Sequence, residues 1–167
     1  PEQKKNIFTK LLTGTDEENI THIAFINRKT PETSSWTYAH ELGRLYLKDA
    51  FHGSVQTKAY DNISGTDNAI AAIEQAIADG NEMIFTTSPE FLSASLRAAV
   101  DHPEVKILNC SLNASHKYIR TYYGRMYEAK FLIGVLAGVM TDTDKIGYIA
   151  DYPIYGMTAN INAFALG

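Results

Sequence analysis

The sequence predicts an α/β fold with a parallel β-sheet and helices on both of its faces. Short apolar segments rich in β-branched residues alternate with longer segments whose apolar residues recur at helical spacing. Four strand candidates and three helix candidates follow one another, with successive strands roughly 25 to 30 residues apart, as expected for parallel strands joined by helical crossovers. The first strand shows little apolar–polar alternation, which is typical of a strand buried on both faces.

Residues 1–19 are predicted to form a short helix, Lys4–Leu12, and a polar linker, and residues 20–117 a first α/β lobe. The lobe begins with strand Ile23–Asn27, followed by a helix that starts with Ser34 or Ser35 as N-cap and runs to Leu47. The elements that follow are strand Val55–Tyr60, helix Asn68–Asp79 ended by Gly80, strand Glu82–Thr86, a helix with Pro89 in its first turn, and strand Val105–Cys110.

Helical spacing also predicts which side of each helix faces the sheet. In the first helix this side carries Trp36, Ala39, Leu42, Gly43 and Leu47. In the third helix it carries Phe91, Leu92, Leu96 and Val100.

The pattern changes after Ser111, and we expect residues 118–167 to be the start of a second lobe, truncated within a helix. Its predicted elements are strand Tyr118–Tyr123, helix Arg125–Met140, strand Lys145–Asp151 and a helix after Pro153. About 50 residues are too few to bury a core of their own. The apolar run Phe131–Met140 is half the roughly 20 residues that span a bilayer, so it is predicted to be a buried helix. Gly134 and Gly138, four residues apart, would allow close backbone packing.

Composition excludes several classes of protein. The chain is 45% hydrophobic and 20% charged, which favours a globular fold over disorder. A net charge of -4 without any run of Lys or Arg makes a nucleic-acid partner unexpected. The single cysteine, Cys110, rules out an internal disulfide, and the five histidines lack metal-ligand spacing. We therefore expect no metal, no cofactor and no enzymatic activity.

Polar residues follow three of the predicted strands, at the sheet edge where open α/β proteins bind ligands. Asn27 follows the first strand and leads to Ser35 and Trp36, the only tryptophan, with His40 four residues further on. A loop of this kind could hydrogen-bond a polar ring while the indole stacks on its face. We predict the ligand contacts Asn27, Ser35, Trp36, His40, Tyr60, Thr87 and Ser88. The alternative is that Trp36 covers the edge of the core and that the hydroxyls only cap helices.

The segment Thr121–Gly167 resembles the basic membrane protein family of substrate-binding lipoproteins, also called the purine nucleoside receptor-like family. The similar motifs are YYGRMYEAKFLIGVLAG, KIGYIA and INAF. Upstream, SSWTYAHELGR and IFTTSPEF resemble the segments that follow the family's first and third strands, and the match extends from about Ile23 to Gly167.

The resemblance implies a type I periplasmic-binding-protein fold, in which two Rossmann-like lobes close on a small heterocycle such as a purine nucleoside. It implies delivery of that ligand to an ABC transporter permease from outside the cytoplasm, by a membrane-anchored lipoprotein. Trp36 matches the family's stacking aromatic, and Thr87 and Ser88 match its first-lobe polar contacts. Where the family commonly has an acidic residue shortly before the aromatic, this sequence has Thr33, Ser34 and Ser35.

Two other functions are open at this point. The chain could be a cytoplasmic ligand-sensing domain of a regulatory protein, since the sequence shows no signal segment. It could also be a flavodoxin-like or nucleotide-dependent enzyme that uses the same type of sheet. We further expect copies of the chain to self-associate, because Phe131, Leu132 and Leu136 would lie on an uncovered helix face.

Overall fold

The computed structural model describes residues 20–51, 53–111, 116–150 and 156–167. The strands in these ranges are β1 (Thr21–Ile26), β2 (Val55–Tyr60), β3 (Met83–Thr86), β4 (Lys106–Cys110) and β5 (Arg120–Tyr122). The helices are α1 (Ser35–Ala50), α2 (Thr66–Ala78), α3 (Leu92–Asp101), α4 (Met126–Met140) and α5 (Met157–Leu166), with a short 3-10 helix at Pro89–Phe91. The helix predicted at Lys4–Leu12 lies outside the described residues.

The strand order explains why the carboxyl ends of β1 and β3 form a natural ligand site. The strands lie in the order β2-β1-β3-β4-β5, and β1 pairs in parallel with both β2 and β3. The chain therefore leaves β1 for one neighbour and later returns to the other side, so that the connections diverge between β1 and β3. Open α/β sheets of this order bind ligands at the carboxyl edge beside that point.

Helices cover both faces of the sheet, as predicted. One face of β1 carries Ala24 and Ile26, which belong to a core shared with residues of α2 and α3. The other face carries Ile23 and Phe25, which pack with Leu47 of α1 and with neighbouring strand residues. Because apolar residues of β1 alternate between two separate cores, the strand is apolar throughout its second half, and the predicted α/β class is confirmed.

Two sequence signals at helix ends have the expected geometry. Ser34 is the N-cap of α1, and its side chain accepts a hydrogen bond from the backbone N–H of Thr37 at 3.2 Å. Gly80 follows α2 with φ +85°, a left-handed conformation that glycine adopts without strain.

The side of α1 that faces the sheet differs from the prediction. It carries Thr37, Glu41 and Arg44, whose guanidinium donates to both carboxylate oxygens of Glu41 at 2.6 and 2.7 Å and to the Thr57 hydroxyl at 2.6 Å. This bidentate pair satisfies the polar groups between α1 and β2, so the helix can bury a polar side. The predicted inward residue Leu42 is 49% exposed. The other large apolar side chains exposed on α1 are Trp36, Tyr38, Leu45 and Tyr46.

Helix α3 also departs from the prediction at one position. Val100 is 54% exposed, whereas Ala94, Ala98 and Ala99 are buried in the core. Small alanines allow the helix to approach the sheet closely, and the larger valine points away from it.

The chain divides into two compact units, one ending at Thr121 and the other beginning at Tyr122. This division lies close to the predicted boundary at 117/118, and the assignment of the units to two lobes stays a prediction. In the second unit α4 packs against α5 at Gly134, where an added Cβ would lie 2.1 Å from the Phe164 carbonyl oxygen. No atom of the described residues lies within 4 Å of a Cβ at Gly138, so among these residues only Gly134 makes the predicted close approach.

Two predictions for the second unit are wrong. The run Phe131–Met140 is not a buried helix, because Gly134 is the one residue of α4 classed as buried. Residues 145–150 of the predicted strand Lys145–Asp151 are not a strand, and Asp151 lies outside the described residues. A strand requires backbone hydrogen bonds to a neighbour, and residues 123–150 and 156–167 contain no strand that could supply them.

Candidate functional site

The candidate site lies at the carboxyl edge of the sheet, where β1 and β3 end beside each other. Asn27 follows β1, Trp36 lies in the first turn of α1, and Thr87 follows β3. Hydrogen bonds join these three residues into one cluster, although they are far apart in the sequence. The ends of β1 and β3 are therefore joined by direct contacts, and a shared ligand site at this edge stays a prediction.

Asn27 is the buried residue that holds the cluster together. Its side chain is 2% exposed, and its Nδ2 donates to the Asp61 carboxylate at 2.8 Å. The Thr87 hydroxyl lies 2.9 Å from Asn27 Oδ1 and 3.0 Å from the backbone oxygen of Ile26. Both ends of the amide are thus engaged within the protein, which gives Asn27 a positioning role at the ends of three strands.

Trp36 is fixed to the end of β3 but is not enclosed. The indole Nε1 donates a 2.7 Å hydrogen bond to the backbone oxygen of Thr87, and the residue is 37% exposed. A hydrogen bond at the indole edge restricts rotation of the ring. The ring is therefore held in a defined orientation while part of it stays accessible.

His40 packs beside Trp36 one turn along α1. Its Nδ1 lies 2.9 Å from the Trp36 backbone oxygen, and the two ring centroids are 5.2 Å apart. Burial lowers the pKa of His40, and the hydrogen bond to Trp36 only partly offsets this effect. At neutral pH the imidazole is therefore uncharged and donates from Nδ1, so it adds no positive charge beside the indole.

One of the predicted contact hydroxyls, that of Ser88, is engaged in capping. The side chain of Ser88 accepts from the Glu90 backbone N–H at 3.3 Å, as N-cap of the 3-10 helix. Ser34, and not Ser35, is the N-cap of α1. Ser35 is exposed at the start of the helix, next to Trp36. These positions keep Ser35 and Ser88 near the cluster without showing a ligand contact.

Tyr60 belongs to a different group of side chains. Its hydroxyl donates to Asp79 at the end of α2 at 2.5 Å, and Lys58 contacts the same carboxylate. Hydrogen bonds from Lys58, then Tyr60 and Gln75, lower the pKa of Asp79 to about 2. The structure therefore does not bring the Tyr60 hydroxyl to the cluster of Asn27, Trp36 and Thr87.

The structure adds Asn109 and Ser111, at the carboxyl end of β4, to the candidate residues. Asn109 is fully buried, and its Nδ2 donates to Thr86 Oγ1 at 2.8 Å and to the Ser88 backbone oxygen at 2.9 Å. Its Oδ1 and the Ser111 hydroxyl, also buried, have no hydrogen-bond partner among the described residues. A buried polar atom without a partner costs about 1 to 3 kcal/mol. The same strand-end rule that selected Thr87 would have selected this pair in the sequence NCS.

The edge carries few charges. Asp61 accepts the bond from Asn27, and Arg28 pairs with Glu90 at 2.6 Å. The loop between β1 and α1 also carries Lys29 and Glu32, both exposed to solvent. The groups in direct contact with the indole include the Thr87 backbone oxygen and the neutral imidazole of His40. The uncharged hydroxyls, amides and imidazole can hydrogen-bond ring nitrogens and carbonyls.

Within the described part of the chain, no group of three or more His, Cys, Asp or Glu side chains is arranged to hold a metal ion. None of the helices described in the structure has the length and apolarity needed to cross a bilayer.

Residues 20–167 match the model of a family described as ABC transporter substrate-binding protein PnrA-like, or Bmp. The chain belongs to this family. Bmp proteins are substrate-binding proteins of ABC transporters and not enzymes, so the predicted family and the absence of enzymatic activity are confirmed, and the enzyme alternative is wrong.

Curated relatives show how much of a Bmp protein this chain represents. It is 30% identical over 145 residues to a purine-binding protein of Brucella abortus, a match that covers 87% of this chain and 41% of the relative. A protein of Haloferax volcanii, provisionally named as an ABC transporter glucose-binding protein, is 25% identical over 154 residues, covering 92% of this chain and 39% of the relative. The chain therefore spans about two fifths of the length of either relative.

A solved structure supports the fold. An ABC transporter solute-binding protein from Burkholderia multivorans superposes with a TM-score of 0.64 at 12% identity, covering 87% of this chain and 55% of that protein. At this identity the likeness concerns the fold alone. It agrees with the α/β architecture of the Bmp chain described above.

Proposed function

We propose that the protein binds a small planar heterocycle, such as a purine nucleoside, with the ring stacked on Trp36 at the carboxyl edge of the sheet. The observation that carries this proposal is the state of the indole, which is tied to Thr87 by a 2.7 Å hydrogen bond and is 37% exposed. An oriented and partly accessible aromatic ring loses little entropy when a second ring stacks on it.

The polar groups at the strand ends supply recognition of ring heteroatoms. Asn109 Oδ1 and the Ser111 hydroxyl are buried without partners among the described residues, so a donor from a ligand or an ordered water would remove the cost of leaving them unpaired. The name of the Brucella relative, a purine-binding protein, agrees with a heterocyclic ligand. The name of the Haloferax relative makes a sugar the competing ligand to be tested.

We also propose that the ligand is passed to an ABC transporter permease and that the protein acts outside the cytoplasm, held to the membrane by a lipid anchor. Family membership supports the transport role and the extracytoplasmic location. In this role a second lobe closes on the ligand, and closure couples binding to recognition by the transporter.

Calorimetry on the natural gene product that carries this sequence tests the ligand class. The panel contains purine nucleosides, free nucleobases, flavins and glucose. Stacking contributes about 0.5 to 1.5 kcal/mol beyond the buried area, so Trp36→Ala should weaken binding of the heterocycle at least about tenfold, or about 1.4 kcal/mol. Trp36→Phe keeps an aromatic face and should weaken binding less.

Ser88→Ala is the matched control at the same edge, because the Ser88 hydroxyl caps a helix and is one contact worth about 1 kcal/mol. It should reduce affinity less than Trp36→Ala. A binding heat with glucose and with none of the heterocycles would show that the ligand is a sugar. Wild-type affinity in Trp36→Ala, or no heat with any compound, would contradict stacking on this indole.

A further inference from the structure

Helix α1 presents an apolar seam to solvent on the side opposite its polar, sheet-facing residues. Tyr38, Leu42, Leu45 and Tyr46 are 52%, 49%, 46% and 74% exposed. Tyr38, Leu42 and Leu45 are followed along the same line by Asp49. These positions are separated by four, three and four residues, which is the spacing of the contact seam in paired helices. A helix that turns its polar side to its own sheet and an apolar seam outward indicates a second contact surface.

We propose that this seam is the interface of a dissociable homodimer in which two copies of α1 pack antiparallel about a twofold axis. When Leu42 of one copy packs on Leu45 of the second copy, the antiparallel register also places Tyr38 opposite Asp49 of the second copy. The phenol hydroxyl can then donate to the carboxylate, and symmetry repeats the bond at the other end of the seam. The seam is self-complementary in this register, in which each Tyr38 has an acceptor.

A parallel arrangement fits the same residues poorly. It would place Asp49 opposite Asp49 of the second copy and align the two helix dipoles side by side. In the antiparallel pair, Asp49 instead comes near the N-terminal half of the other helix, whose first turn contains no acidic residue. Charge and dipole therefore both favour the antiparallel pair.

The size of the seam determines how tightly the copies can associate. Tyrosine side chains present about 150 to 250 Å2 each and leucine side chains somewhat less, so the exposed fractions of the two tyrosines and two leucines amount to on the order of 400 Å2 per copy. A standard stable interface buries about 800 Å2 per partner. Asp49 at the end of the seam and Lys48 beside it add polar groups to the contact. The interface is therefore of the weak, reversible class, with dissociation expected in the micromolar range.

Disulfide trapping tests the register directly. Residues 38 and 49 of one helix are about 16 Å apart at 1.5 Å rise per residue, beyond the reach of an intrachain disulfide. A Tyr38→Cys/Asp49→Cys double variant should form a covalent dimer under mild oxidation, whereas each single variant should stay uncrosslinked. The native Cys110 is buried and does not interfere. Absence of the covalent dimer, or equal crosslinking by a single variant, would overturn the antiparallel register.

Sedimentation velocity tests the surface. Because α4 is also exposed, the measurement uses a Leu132→Gln/Leu136→Gln background that removes its contribution to self-association. The Leu132→Gln/Leu136→Gln variant should still dimerise reversibly. Introducing Leu42→Gln/Leu45→Gln into this variant should raise its dimer dissociation constant at least tenfold. Both α1 leucines are about half exposed, so unchanged circular dichroism and Trp36 fluorescence are expected. A monomeric background at all concentrations, or an unchanged constant after the α1 substitutions, would overturn the proposal.

Discussion

Removal of the Asn27 side chain is the perturbation that most directly tests how the site is built. Asn27→Ala eliminates two hydrogen bonds. One runs from Asn27 Nδ2 to the Asp61 carboxylate at 2.8 Å, and the other from the Thr87 hydroxyl to Asn27 Oδ1 at 2.9 Å. A bond to a charged group contributes about 1.5 to 3 kcal/mol and a neutral one about 1 kcal/mol. Asp61 is only partly buried, so water replaces part of its lost bond, and Thr87 keeps Ile26 as an acceptor. We therefore expect a loss of about 2 kcal/mol in the free energy of unfolding.

Urea denaturation followed by Trp36 fluorescence measures this loss. Trp36 is the one tryptophan of the 167 residues, and it contacts Thr87 within the same cluster, so its signal reports the unit that contains the site. The matched control is Asn68→Ala, which removes one hydrogen bond from an exposed asparagine to the Ser64 backbone oxygen. Exposed positions of this kind change stability by less than about 0.5 kcal/mol.

A double-mutant cycle separates the contact from the other effects of the substitution. Combined with Thr87→Val, Asn27→Ala should show a coupling free energy on the order of 1 kcal/mol, as expected for side chains in one hydrogen-bond network. An Asn27→Ala variant as stable as Asn68→Ala, or additive effects in the cycle, would refute the positioning role of Asn27.

Three further predictions concern other parts of the molecule. The Asp79 pKa of about 2 lies below the unfolded value of about 3.9, so the contribution of Asp79 to stability is present above pH 4 and is lost as the pH falls towards 2. Asp79→Asn should abolish this part of the pH dependence of the urea midpoint, and an unchanged pH profile would contradict the prediction. Gly134→Ala should lower the thermal midpoint of the second unit, measured by circular dichroism, because the added Cβ would collide with the backbone of Phe164. Gly138→Ala places its Cβ away from the described residues and should raise the midpoint slightly through its higher helix propensity, and equal shifts would be incompatible with this packing. Since burial lowers the pKa of His40, its protonation and the resulting quenching of Trp36 fluorescence should occur below pH 6.5 and should vanish in His40→Gln. A quenching midpoint above pH 6.5 would show that the imidazole ring is not buried as observed.

The order of the elements was predictable from the sequence because it depends on local and repeating signals. β2 has the predicted bounds, Val55–Tyr60, and the other strands of the first unit differ by a residue or two at either end. Ser34 and Gly80 marked helix ends because capping and left-handed geometry depend on side chains within a few residues. The strand-end rule similarly placed Trp36 and Thr87 at one sheet edge.

The sheet-facing side of α1 was not predictable from the helix alone. Apolar spacing favoured Leu42, but the tertiary structure pairs Arg44 with Glu41 and with Thr57 of a strand that follows in the sequence. A helix can bury a polar side when neighbouring residues form hydrogen bonds with it. For α1 this neighbour is Thr57, which is in position only when β2 has joined the sheet. The same reason explains why residues 145–150 form no strand, because residues 123–150 and 156–167 contain no strand that could pair with them.

The sequence by itself determined the alternation of strands and helices, the family and the sheet edge that carries the candidate site, because strand ends and motifs are properties of short segments. Only the tertiary structure decided how the site residues are used. It turned the amide of Asn27 inward to Asp61 and Thr87, directed Tyr60 to Asp79, and left Asn109 Oδ1 without a partner among the described residues. Hydrogen bonds between distant segments depend on distances of a few tenths of an ångström, and those distances are set when the sheet and its helices pack together.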